Sequence, residues 1–117
     1  MKKLYWITTD DHDEDWFVVS TSSEEAARFH VESEGYDEGD AKSEFICDVP
    51  GKLLVSERAT GISWWPSNDM IKSLGGVSIK EGDARVVRFG DKTYSEGLLG
   101  SIAEVARKIK NAKEIVY

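Results

Sequence analysis

Two short runs of aromatic and β-branched residues, KLYWITT at 3–9 and WFVVS at 16–20, stand six residues apart, and DDHDED separates them. Such residues favour strands, because branched and ring side chains pack well on a pleated surface. Two runs of this kind joined by a short polar stretch read as an antiparallel hairpin. This pairing constrains the chain more than any other feature, since an isolated hairpin is marginal in water and needs further strands or a helix against its apolar face.

The rest of the sequence supplies them. Ser22 is followed three residues on by Glu25, a capping box that satisfies amide groups left open at a helix start. A helix is expected over about 23–34, with Ala26, Ala27, Phe29 and His30 as a narrow apolar stripe and Gly35 as its stop. YDEGDAK reads as a turn, SEFICDVP as a strand ended by Pro50, and KLLVSE at 52–57 as a further strand. RATGISWW has no clear period, after which Pro66 and Ser67 signal a short helix that ends before Gly75 and Gly76. VSIKEGDARVVRFGDKTYSEG carries two or three strands, with Gly90 and Asp91 at a tight hairpin turn. Ser101 and Glu104 form a second capping box, and Ile102, Val105, Ala106 and Ile109 fall on one helical face, so a helix is expected over about 101–111. KEIVY follows as a closing strand. The expected architecture is α+β: one compact domain over 1–117, a mostly antiparallel sheet built from hairpins, and two main helices (about 23–34 and 101–111) packed on one face.

Charge is unevenly laid out. Residues 1–48 hold 14 Asp and Glu against four Lys and Arg, whereas the remaining residues hold eight acids against 11 bases. An acidic half repels phosphates and anionic lipid and attracts cations and basic protein surfaces. Direct nucleic-acid binding is therefore not expected. No apolar run approaches the roughly 18 residues of a membrane helix, so neither a signal peptide nor an anchor is expected. Cys47, the single cysteine, has no intramolecular disulfide partner and reads as an inert core thiol, which suits a cytoplasmic setting.

The stretch DDHDED is the first candidate site. A helix-loop-helix calcium loop needs oxygens at its positions 1, 3 and 5, glycine at 6 and glutamate at 12. Counting from Asp11 puts Asp13 and Asp15 in place, but Trp16 and Ser22 occupy the two most demanding positions. For a transition metal, His12 has only His30 as an imidazole partner. Three readings remain open: a solvated hairpin loop, a partner-facing patch at Asp10, Asp11, Asp13, Glu14 and Asp15, and a weak divalent-cation site. Glu24, Glu25, Glu32, Glu34, Asp37, Glu38 and Asp40 extend the acidity through the first helix and its exit turn. If loop and helix share an edge, their carboxylates form one surface able to occupy a partner's phosphate-binding groove, because Lys and Arg answer to carboxylates through the same charge-assisted bonds. The plain alternative is that these charges keep a small protein soluble.

Catalysis has less support. Only His12 and His30 are available as a base, and neither lies near a nucleophile motif such as GxSxG or a metal motif such as HExxH. The glycines around Leu98 and Leu99 read as an ordinary turn rather than a phosphate cradle, which normally carries a lysine. Trp64 and Trp65 lie in the least regular segment and are either interface anchors or a cap folded onto the core. Arg107, Lys108, Lys110 and Lys113 complement the carboxyl end of their own helix. The sequence thus points to an acidic protein-binding domain without cofactor, an inhibitor or regulator whose partner presents a basic surface. A divalent-cation protein or metal-dependent enzyme using residues 10–15, and a self-associating structural subunit, are the alternatives.

Overall fold

The structure is a computed structural model and describes residues 1–54, 61–80 and 85–97, with the backbone of 114–116. Its elements run β1 (Lys3–Thr9), β2 (Trp16–Ser20), α1 (Ser23–Glu34), β3 (Ala41–Asp48), α2 (Gly51–Leu54), α3 (Asn68–Ser73), β4 (Val77–Lys80), β5 (Val86–Phe89), β6 (Lys92–Ser95) and β7 (Glu114–Val116). This is an α+β arrangement of mostly antiparallel strands, which fall into two sheets, β2-β1-β3 and β4-β5-β6-β7. Among the described residues all strand pairings are antiparallel except that of β6 with β7. The helix expected over 101–111, with its basic residues, lies outside the described residues.

The hairpin forms as its composition dictates, with Leu4 opposite Val19 and Trp6 opposite Phe17. Leu4, Tyr5, Trp6 and Ile7 are all buried, because this sheet is covered on both faces. Leu4, Trp6, Phe17 and Val19 pack with Val49, Met70, Ile71, Val87 and Tyr94. That main core joins the first sheet to α3 and the second sheet, with the Trp6, Phe17 and Tyr94 rings 4.8–5.5 Å apart by centroid. On the opposite face, Tyr5, Ile7 and Val18 meet Ala26 and Val31 of α1. Among the described residues α1 therefore backs this face of the sheet, and a second sheet stands behind the other.

Local signals place the helices. The Ser22 hydroxyl accepts the Glu25 amide at 3.2 Å, and Gly35 ends α1 at φ 78°, a left-handed conformation that costs glycine little. The Ser67 hydroxyl likewise caps α3 by accepting from the Met70 amide at 3.1 Å. Gly76, after α3, sits where a Cβ would come within 2.9 Å of Ile71, Val87 and Phe89, so only glycine lets the chain pass there unstrained. Gly90 and Asp91 make the two-residue turn that sets Phe89 opposite Lys92. The expected strand at 52–57 is not seen over its described part, since Gly51–Leu54 forms a helical turn; residues 55–57 lie outside the described set. Cys47 is half-buried rather than enclosed, because β3 is the outer strand of its sheet. Burial still raises its thiol pKa, with the Asp48 charge adding to the effect. Among the described residues no helix is long and apolar enough to cross a membrane.

Candidate functional site

The acidic stretch between β1 and β2 is a structured turn. His12 takes a positive φ of 56°, within the left-handed region that histidine visits more readily than most residues, and its amide donates to the Thr9 carbonyl at 3.1 Å. This turns Asp15 inward. Its Oδ1 accepts the Thr9 amide at 3.1 Å, its Oδ2 lies 2.9 Å from His12 Nδ1, and only 1% of the residue is exposed. Burial pushes its pKa above the ordinary aspartate value, and the Thr9 and His12 contacts only partly offset it. Asp15 therefore does not belong to the surface patch on which the sequence placed it.

The other loop carboxylates differ in how firmly they are held. Asp11 accepts from the Thr9 hydroxyl at 2.8 Å and the Asp13 amide at 3.2 Å; these bonds, the hydroxyl first, lower its pKa. Half-buried Glu14 accepts the Trp16 indole N–H at 2.8 Å. Asp10 and Asp13 are exposed. Among the described residues no three His, Cys, Asp or Glu side chains converge as metal ligands would.

Loop and helix do meet, at the carboxyl end of α1. Glu34 has a raised pKa, first from partial desolvation and then from the Glu14 carboxylate beside it. Burial raises the Tyr36 phenol pKa and its hydrogen bond with Thr9 lowers it, while the fields of Asp11, Glu14 and Asp13 act to raise it. Beneath them His30 is fully buried, its ring set against the Glu14 main chain. It stacks on Tyr36 and meets the edge of Trp65, at centroid distances of 6.2 and 5.8 Å. Burial depresses the imidazole pKa, opposed by the adjacent Glu14 charge and main chain.

Asp11, Asp13, Glu14 and Glu34 thus cluster around one end of α1. Glu24 and Glu25 occupy the other end, about 15 Å away at 1.5 Å per residue. Between them lies a groove of about 650 Å³ along the helix flank and its exit turn, with Glu24, Glu32 and Glu38 among its lining residues. Glu25 is paired with Arg28 at 2.9 Å. Asp37 and Asp40 shape the exit turn, the Asp37 amide donating to the Asp40 carboxylate at 2.9 Å.

The tryptophans divide. Trp64 pairs its backbone with Val19 in both directions, at 2.9 and 3.0 Å, and its ring packs against the main core with Lys2 Nζ 5.1 Å above it. Trp65 stays 38% exposed and covers the α1 joint, 4.7 Å from Phe29 and 6.3 Å from Trp16 by ring centroid.

One buried acid escaped the sequence reading. Glu96 is 2% exposed, pairs with the Arg85 guanidinium and accepts the Phe17 amide at 3.2 Å. Arg85 also donates to the Pro66 carbonyl at 2.8 Å, so one carboxylate ties β2 to the second sheet. Nothing local in TYSEG distinguishes it from a solvated strand end.

Compared with known proteins, the chain matches no family model, and no curated protein or solved structure matches it significantly.

Proposed function

We propose that this chain is a non-enzymatic protein-binding domain whose acidic amino-terminal half covers a basic, nucleic-acid-handling surface of a partner, as an inhibitor or regulator. The observation that carries this reading is where the charge sits. The carboxyl end of a helix is already a negative pole that favours cations, yet the last turn of α1 has no basic residue. Glu32 and Glu34 stand at that end, and Glu14 approaches closely enough to raise the pKa of Glu34. Like charges gathered at a like pole are unfavourable in the isolated chain, and a basic partner would relieve them. Trp65, half in solvent beside the cluster, has the amphipathic character of an interface anchor.

The test is affinity capture with the wild type and with a variant carrying Asp10→Asn, Asp11→Asn, Asp13→Asn, Glu32→Gln and Glu34→Gln. Partners retained only by the wild type should be nucleic-acid-binding proteins, and added nucleic acid should compete them off. Equal capture by both proteins would refute the proposal. Self-association is a second reading, because β3 is the outer strand of its sheet and carries Phe45 at 53% exposure. Sedimentation of the wild type and Phe45→Lys at two concentrations tests it, with a dimer lost in the variant as the supporting result.

A further inference from the structure

The groove along α1 combines two chemistries. Ala27, Val31, Tyr36 and Ala41 give it an apolar floor, and Glu24, Glu32 and Glu38 stand around it. Val31 and Ala41 are buried, so the floor is continuous with the core beneath, whereas the three glutamates are exposed. Among the described residues the cation lining it, Arg28, is bonded to Glu25 outside the groove.

An uncharged apolar ligand would desolvate these carboxylates without compensating them. An anion would be repelled. A bare metal ion needs ligands converging at one point, and no such convergence exists among the described residues. A long side chain with an apolar stem and a cationic head satisfies both parts at once, the stem lying on the floor and the head reaching the carboxylates. We infer that this groove seats lysine or arginine side chains of an extended basic segment of the protein partner, an inference that rests on the function proposed above. The volume of about 650 Å³ leaves room for neighbouring residues of that segment.

The probe is acetylated, amidated hexa-arginine, with hexa-glutamine as the uncharged control and spermine as a small amine. Amide-shift mapping on the wild type locates the binding, and titration of variants weighs each part. Ala27→Phe fills the floor without changing any charge. The combined Asp10→Asn, Asp11→Asn and Asp13→Asn variant lowers the acidity but leaves the groove intact. Shifts centred on residues 24–41, about a tenfold loss of affinity in Ala27→Phe and a smaller loss in the loop variant are expected. Should Ala27→Phe fail to fold, the wild-type shift map decides. Shifts confined to 10–15, or full affinity in folded Ala27→Phe, would overturn the groove while leaving the parent reading standing. No salt-sensitive binding of hexa-arginine would overturn both, and groove-dependent binding of spermine alone would overturn the protein occupant.

Discussion

Asp15 and Glu32 belong to the same acidic half of the chain, yet their surroundings give them opposite parts. Asp15 is buried, holds a strand amide and a histidine, and has a raised pKa. Glu32 lies exposed beside a groove. Glu96 belongs with Asp15, as a buried carboxylate that joins the two sheets. Acidic residues thus serve architecture where the fold encloses them, and are available for recognition where it does not. Counting charges along the chain does not separate the two.

The largest expected effect is at Glu96. Glu96→Ala would leave Arg85 without its carboxylate and the Phe17 amide without its acceptor, costing about 3 kcal/mol, the low end for a broken buried pair because Arg85 keeps some contact with water. Denaturant unfolding measures it, and a loss under about 1 kcal/mol would show that the sheets are held by apolar packing alone. Asp15→Ala should cost about 1–3 kcal/mol by orphaning the Thr9 amide, whereas Asp15→Asn keeps that acceptor and should cost less. Equal losses in the two variants would mean that the charge, rather than the hydrogen bonding, is what matters.

His30 sharpens the comparison through pH. Its folded pKa is depressed, so the neutral ring's stabilisation is complete above the unfolded value of about 6.5 and declines as pH falls from there toward the folded pKa. His30→Phe, which replaces a buried imidazole with an apolar ring, should flatten the melting temperature across that range and leave stability at neutral pH within about 1 kcal/mol of wild type. A profile as steep as the wild type's would assign the effect to another group. The smallest effect on stability is expected from Glu24→Gln, Glu32→Gln and Glu38→Gln, each within about 0.5 kcal/mol. Their effect should appear in partner affinity instead.

Much of this fold was legible wherever the signal was local. The capping serines, Gly35, the Gly90 turn and the two strand-forming runs each act within a few residues of themselves. The unbroken apolar run Leu4–Ile7 already carried the mark of a sheet covered on both faces. KLL at 52–54 misled because a short apolar run has no period to separate strand from helix. Cys47 was expected in the core because sequence does not reveal which strand lies outermost.

The candidate site was legible as composition and hidden as geometry. The inward turn of Asp15 depends on the backbone conformation at His12, and the burial of Glu96 depends on a contact with Phe17, 79 residues away in sequence. His30 was placed correctly on the apolar stripe of α1, but its enclosure by Tyr36, Trp65 and the acidic loop arises only in three dimensions.

The most direct test of the central claim is the affinity of a captured partner for the wild type and for the variant neutralised at Asp10, Asp11, Asp13, Glu32 and Glu34, each measured from about 0.1 M to about 0.5 M salt. If the acidic face makes the contact, wild-type affinity falls steeply with salt, and the variant is both weaker and nearly insensitive to it. Tight binding that persists unchanged at the higher salt, or in the neutralised variant, would contradict the account.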